Sequence, residues 1–438
     1  MAGKIVLATA GTAGDLNPFI AIALELQARG LQPLIAAQKE FQETVVDAGV
    51  GFHILRPGVE DVRAELGLDA PEIVQRARRG STGLEFAVRR IAMPFLRRGF
   101  QDMMDATTDA DLVVTHTSAF AARLAAEKRG LPWISTALSP FTFMSAYDPP
   151  ILSGALPLRL LREVTGARSD AALLHLVKLT TLTWTGKFQR FRAELGLPRS
   201  SNPLFEGQFS RLGTLGLYSP LFGTVQPDFP NACTLTGFCL YDRRHGAPPV
   251  LPGAVAAFLA SGPAPLVFTL GSALVLDPGD FYERSAALAQ RLGRRAILLV
   301  GPDAPGAAAL AQGRPDLLVA DYAPHSELFP HAAAIVHHGG IGTTAQALRA
   351  GRPQLVIPFS ADQPDNAERV VRLGVGRAIP AAAYRMRRAL KELRLLLSGD
   401  YAARAASIGQ AVRQEDGPAV AAAVIEATLM NAHLPRSA

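Results

Sequence analysis

The residues richest in chemistry are the run His337-His338-Gly339-Gly340-Ile341-Gly342-Thr343-Thr344 and, beyond Pro358, the run Asp362-Gln363-Pro364-Asp365-Asn366-Ala367. Glycines let backbone approach a ligand closely. A helix beginning near Thr343 would aim its unbonded N–H groups and positive dipole end at whatever precedes it, an arrangement suited to a diphosphate. Thr343 can cap that helix and donate its hydroxyl, and His338 offers a further donor. Asp362 and Gln363 follow the next expected strand on the same rim and can grip the hydroxyls of a sugar. A second loop, Gly11-Thr12-Ala13-Gly14-Asp15-Leu16-Asn17-Pro18, carries one carboxylate. Its plainest reading is a turn with Asn17 as N-cap and Pro18 at the first helical position. It lacks the third glycine of a dinucleotide fingerprint.

Elements with the right periodicity flank these loops. Lys4–Thr9, Gln32–Ala37, Phe52–Leu55, Asp111–Thr115 and Trp133–Thr136 read as strands, and Pro18–Gly30, Glu40–Gly49 and Ala119–Gly130 as the helices among them. The alternation restarts after residue 260. There Leu266–Leu270, Ala296–Val300, Leu317–Ala320, Ala334–His337 and Gln354–Pro358 read as strands, with helices at Phe281–Leu292 and Thr343–Ala350. Strands alternating with helices predict an α/β protein with parallel sheets covered on both faces. Ligands in such sheets bind beyond the carboxyl ends of the strands. The expected organisation is two doubly wound, Rossmann-like domains facing a cleft. They comprise 1–235, a Pro/Gly-rich linker region at 236–265, 266–412, and a C-terminal helix within 413–438 that crosses back to the first domain.

The combination of motifs resembles the donor signature of the family 1 nucleotide-sugar glycosyltransferases, which have the GT-B fold. The resemblance continues upstream to Tyr322-Ala323-Pro324-His325, where it implies an aromatic ring stacked on the base and a nucleoside contact at His325. Phe268-Thr269-Leu270-Gly271-Ser272 looks like the strand and turn lining the diphosphate pocket. The resemblance therefore implies donor binding by Gly14, Gly271, Ser272, Tyr322, His325, His338, Gly340, Gly342, Thr343, Asp362 and Gln363. Where many members carry a ribose-binding Glu, this chain has Gln346. In the N-terminal loop the family usually places a catalytic His three residues before the proline, and here that position is Asp15. The family's partner Asp has its counterpart at His116, so the two residue types have changed places. A similar Gly-Asp loop occurs in antibiotic and sterol glycosyltransferases and in the rhamnosyltransferase of rhamnolipid synthesis. The last looks closest, through Gly11–Pro18, Thr236-Gly237-Phe238, Gly279-Asp280-Phe281-Tyr282 and Asp362–Gly374.

The resemblance implies an inverting transfer of a hexose or 6-deoxyhexose from a UDP- or dTDP-sugar to a lipophilic hydroxyl compound. No cofactor or metal is expected, because the helix end and His338 would neutralise the leaving diphosphate. Asp15 is expected within hydrogen-bond reach of His116, taking the proton while His116 orients it; the reverse assignment stays open. The apolar stretch Phe141–Leu161 can line an acceptor site. A sugar-nucleotide epimerase of the same fold and a non-catalytic homologue are the rival readings.

Composition narrows the classes further. Hydrophobic residues make up 49% and charged ones 19% of 438, which supports sizeable cores and argues against global disorder. Basic residues outnumber acidic ones only 44 to 38, with no basic stripe interleaved with aromatics, so nucleic acid is not an expected partner. Cys233 and Cys239 form no metal-spaced set and fit a reducing cytoplasm. No run is long enough to span a membrane. Residues 71–104 mix arginines with apolar residues. They fit a solvated insertion whose apolar side covers the domain, or a peripheral contact with the inner face of a membrane.

Overall fold

Ile5, Val6 and Leu7 are fully buried, as are Leu266, Val267 and Phe268, and Ala334 to His337. Short aliphatic runs with no exposed face belong in parallel sheets covered on both sides. The computed structural model, which describes residues 3–77, 79–151, 167–243, 246–302, 304 and 306–433, places them at the centres of two such sheets. The first contains β1 (Lys4–Ala8), β2 (Gln32–Ala37), β3 (Gly51–Ile54), β4 (Leu112–His116), β5 (Trp133–Ala137), β6 (Thr214–Gly216) and β7 (Cys233–Leu235). Their order is β3-β2-β1-β4-β5-β6-β7, every pair parallel. The second contains β8 (Leu266–Thr269), β9 (Ala296–Leu299), β10 (Leu317–Ala320), β11 (Ala334–His337), β12 (Gln354–Val356) and β13 (Gly376–Ala378). Its order is β10-β9-β8-β11-β12-β13, again wholly parallel.

In each sheet the strand order reverses direction at one place, between β1 and β4 in the first and between β8 and β11 in the second. Loops leaving those strands diverge to opposite faces and open a crevice at the carboxyl edge. Both faces are filled in the second sheet. Leu266 and Phe268 enter one core with Leu298, Val336 and Leu355, while Val267 enters another with Val255, Ile297, Ile335 and Ala347.

The chain divides into two compact units. The first comprises Met1–Asp69, Ser81–Tyr241 and Glu415–Ala438, and the second Ala70–Gly80 and Asp242–Gln414. Helix α1 (Ala13–Ala28) follows β1, and α2 (Ala70–Ala77) lies in the segment that joins the second unit, where Val74 packs against the Leu266/Phe268 core. Residues read as linker hold a helix, α3 (Gly253–Ala260), whose Val255 is fully buried and whose Phe258 and Leu259 join it in the core around Val267. In the second unit α4 (Ile341–Ala350) follows β11 and α5 (Gln363–Arg372) follows β12. Helix α6 (Gly417–His433) packs on α1, with Arg29 paired to Glu426 at 3.3 Å.

The insertion after residue 80 is built into the first unit. Val88, Met93, Phe95 and Leu96 are buried, Arg89 pairs with Glu85, Arg97 with Glu194, and Arg98 lies over the Phe95 ring. No helix among the described residues is long and apolar enough to cross a membrane.

Candidate active site

In the first unit the crevice is formed by the loop after β1 and the end of β4. Helix α1 starts at Ala13, not at Pro18, and Pro18 lies inside it. Thr12 is the cap. Its Oγ accepts from Gly14 N at 3.2 Å and donates to Asp15 Oδ2 at 2.9 Å, and Asp15 Oδ2 also accepts Thr12 N–H at 2.6 Å. This reciprocal capping box supplies acceptors to the helix end from within the chain. It outcompetes the Asn17-Pro18 signal because it satisfies two orphan donors where Asn17 could satisfy one. Gly11, at φ +140°, has no room for a side chain, since a Cβ there would stand 2.3 Å from Asp15 Oδ2. Gly14, expected against the donor, gives its amide to Thr12.

His116 ends β4 and is only 8% exposed. Its Nε2 lies 3.8 Å from Asp15 Oδ1. The two residues come together, but that separation exceeds a hydrogen bond. Asp15 Oδ2 is held by the cap, which turns Oδ1 alone toward the imidazole. Nδ1 lies 2.6 Å from Ser118 Oγ, which is 2.5 Å from the Ala10 carbonyl oxygen, and the Phe19 ring stands edge-on at 6.0 Å. Burial pushes the His116 pKa below its usual value, with the Asp15 carboxylate and the Ala10 carbonyl opposing the shift.

In the second unit the crevice is formed by the loops after β8 and β11. Helix α4 begins at Ile341, two residues earlier than its periodicity suggests, with Gly340 as an N-cap that supplies no side-chain hydrogen bond. Thr343 does not cap it; Thr343 is buried in the first turn, and Thr344 Oγ bonds back to Gly340 O at 3.0 Å. The leading N–H groups of Ile341, Gly342 and Thr343 therefore have no acceptor within the helix. Two glycines make a slot for the His338 ring. A Cβ on Gly340 would come within 2.3 Å of its Nε2, and one on Gly271 (φ +67°) within 2.6 Å of its Cε1. Ser272 beside Gly271 is exposed.

His338 Nδ1 is buried without a hydrogen-bond partner among the described residues. Burial drives the His338 pKa down to about 3, reinforced by His337 and His325. Desolvation thus favours the neutral form of the His338 imidazole, which retains one N–H to donate. Its neighbour His337 is fully buried, accepts Gly339 N–H on Nδ1 at 3.1 Å and donates from Nε2 to Gln354 Oε1 at 3.0 Å. It holds the glycine turn in place.

Asp362 and Gln363 stand at the start of α5. Gln363 Oε1 accepts the backbone N–H groups of Phe359 at 2.9 Å and Ser360 at 3.2 Å, so its amide oxygen already serves the loop. Asn366, which sequence reasoning gave no role, donates from Nδ2 to both Gly339 O at 2.9 Å and Asp362 Oδ2 at 2.8 Å. It ties Asp362 to the glycine turn, and its one visible signal was the four-residue spacing from Asp362. Between these loops Ala361 adopts φ +55°, a left-handed conformation uncommon for a residue with a Cβ. Tyr322 Oη reaches Asp242 Oδ1 at 3.3 Å, and Asp242 Oδ2 accepts Ser326 N–H at 2.7 Å. His325 stacks on Phe329 with centroids 4.3 Å apart, and burial lowers its pKa against the pull of Asp242.

Gln346 is buried, with Oε1 lacking a partner among the described residues. Of the apolar stretch Phe141–Leu161, residues 152–161 lie outside the described residues. Phe143 stacks between Phe229 at 3.9 Å and Phe209 at 5.4 Å. The sequence also holds one Asp-x-Asp spacing, Asp109-Ala110-Asp111; Asp109 pairs with Lys4, and Asp111 accepts Lys4 N–H at 2.8 Å. Among the described residues no group of three or more His, Cys, Asp or Glu is placed to hold a metal ion.

Two wholly parallel α/β units, the second with an open glycine-rich helix end at its switch point, are those of the GT-B fold. Comparisons with known proteins agree. Residues 5–147 match the glycosyltransferase family 28 N-terminal domain, and residues 299–426 the C-terminal domain of erythromycin biosynthesis protein CIII-like proteins. The chain is 31% identical to an O-mycaminosyltylonolide 6-deoxyallosyltransferase of Streptomyces fradiae, across 99% of this chain and 100% of that one. It is 26% identical to a sterol 3-beta-glucosyltransferase of Arabidopsis thaliana, across 95% of this chain and 64% of that one. The solved spinosyn rhamnosyltransferase SpnG, complexed with thymidine diphosphate, superposes with a TM-score of 0.67 at 18% identity, covering 97% of this chain and 100% of that one. The chain belongs to the family 1 GT-B glycosyltransferases and is an enzyme of the antibiotic and sterol type.

Proposed function

We propose that this glycosyltransferase moves a hexose or 6-deoxyhexose from a dTDP- or UDP-sugar to a hydroxyl of a lipophilic natural product or sterol, with inversion and without a metal ion. The observation that carries the donor half is the uncapped N-terminus of α4, where three N–H groups without helical acceptors adjoin the neutral His338 ring. Such groups bind a diphosphate by hydrogen bonding and dipole without a compensating cation. Tyr322 would stack on the base, while Asp362 and the amide nitrogen of Gln363 would take sugar hydroxyls. The Asp15–His116 pair would accept the proton of the attacking hydroxyl. The names of the relatives support a 6-deoxyhexose or glucose donor, and the thymidine diphosphate of the spinosyn enzyme supports a thymine base.

Calorimetric titration with dTDP and UDP tests the donor half. Transfer assays then pair dTDP-6-deoxyhexoses and UDP-glucose with macrolide and sterol acceptors, the anomeric configuration of the product being read by NMR. Absence of binding by either diphosphate would overturn the reading, and a product of retained configuration would overturn single displacement.

A further inference from the structure

We propose that Ser118 is a positioning residue that fixes His116 as the Nδ1–H tautomer, making Nε2, the nitrogen beside Asp15, the atom that accepts the acceptor's proton. The inference rests on the reading that the Asp15–His116 pair deprotonates the attacking hydroxyl.

The argument is one of donors and acceptors. The Ala10 carbonyl oxygen can only accept, and Ser118 Oγ lies 2.5 Å from it, so the single hydroxyl proton of Ser118 points at Ala10. Ser118 Oγ then meets His116 Nδ1, 2.6 Å away, with a lone pair. A bare Nδ1 there would set two lone pairs against each other, so Nδ1 carries the proton. A neutral imidazole has one N–H, which leaves Nε2 as an acceptor. The chain runs from a backbone carbonyl whose direction is fixed, through one hydroxyl, to one nitrogen.

Nε2 in turn faces Asp15 Oδ1 at 3.8 Å, two acceptors with no proton between them. A hydroxyl brought to that spot finds a proton acceptor in Nε2. In the transfer, its O–H bond breaks and the proton goes to Nε2. The oxygen forms a bond to the anomeric carbon, and the bond from that carbon to the diphosphate oxygen breaks with its electron pair leaving on the diphosphate. The imidazolium so formed keeps its Nδ1–H bond to Ser118 and gains the Asp15 carboxylate opposite. Among the described groups packed against His116, from α1, from the loop after β1 and from its own loop, Asp15 is the charged one. Asp15 thereby stabilises the charge that His116 acquires, and the proton acceptor is His116.

The test compares Ser118→Ala with Ser118→Thr, which keeps a hydroxyl, and with His116→Ala. Ser118→Ala is expected to lower kcat about tenfold with KM for the donor and affinity for dTDP and UDP unchanged. It should also move the acidic limb of the pH–rate profile to lower pH, because the imidazolium loses an acceptor. Ser118→Thr is expected to restore both. In 15N-histidine spectra of the intact chain, assigned through His116→Gln, the native protein and Ser118→Thr should show His116 protonated at Nδ1. Ser118→Ala should show that tautomer reduced. A native His116 protonated at Nε2, or an unchanged kcat and acidic limb in Ser118→Ala while His116→Ala loses turnover, would overturn the assignment of Ser118. If His116→Ala itself keeps full turnover, the reading of the pair as the base falls instead.

Discussion

Two helix N-termini stand at the two switch points, and they are finished in opposite ways. Helix α1 is closed by its own residues, with Thr12 and Asp15 occupying its leading N–H groups. Helix α4 begins at a glycine and is left open. The dipole and the orphan donors are the same in kind, so the fold does not decide which end binds an anion. The side chains at the cap and three residues later decide it. In the first unit that choice turns a helix end into a clamp for a carboxylate, with one oxygen bound and the other offered to His116. In the second it leaves donors for a ligand.

Converting the open end into a closed one is the strongest way to break this contrast. Gly340→Asp adds a capping carboxylate and drives the new Cβ into His338. Losing about three charge-assisted hydrogen bonds of roughly 1.5 kcal/mol each predicts a fall on the order of 10³-fold in dTDP or UDP affinity by calorimetry. Affinity within threefold of native would show that the diphosphate does not use this end.

Acid should weaken the second unit next. His337 is buried neutral with its pKa down to about 4, against about 6.5 for a free imidazole, so the unfolded chain takes up a proton that the folded chain refuses. Its contribution is fully present above pH 6.5 and is lost as pH falls toward 4, on the order of 3 kcal/mol in all. His338 lies in the same unit, and burial takes its pKa down to about 3, so it adds to the loss in the same sense. Urea midpoints of native protein and His337→Asn between pH 7 and 4 measure this, and the variant should show the shallower decline.

Gln363 sharpens the comparison at a finer scale, because its oxygen is structural and its nitrogen is proposed to touch sugar. Gln363→Glu keeps an acceptor for Phe359 and Ser360, and should weaken donor-sugar use about tenfold while leaving diphosphate affinity nearly intact, in keeping with one polar contact. Gln363→Ala should loosen both. Equal losses in the two variants would remove Gln363 from the sugar. The smallest effect belongs to the closed end. Thr12→Val removes the cap and should cost about 1 kcal/mol in urea unfolding of the first unit.

Much of this was legible in the residues. Glycines before a helix, a strand ending in His337 and an Asp-Gln pair past the next strand point to the second crevice, because each follows from local chain geometry. Longer strands such as Lys4–Ala8 and Ala334–His337 announce themselves as aliphatic runs. Thr214–Gly216, Cys233–Leu235 and Gly376–Ala378 do not, because three residues are too few to show a period. Asn17-Pro18 points to too late a start for α1 because it is a familiar signal, whereas Thr12-x-x-Asp15 uses Asp where Glu is usual in a capping box. Ser118 and Asp242 were invisible for a different reason. Each acts through a residue distant in the sequence, Ala10 for one and Tyr322 for the other, and adjacency of that kind exists only once the sheets are formed.

Segment 70–80 carries a lesson for recombination. Because α2 and Val74 belong with the second unit although both of their flanks belong to the first, the polypeptide passes from one unit to the other at four places along its length. A chimaera that exchanges everything after Tyr241 would leave Val74 against a core it did not evolve with. Grafts meant to alter donor choice should carry residues 70–80 together with 242–414, a boundary that no single cut in the gene provides.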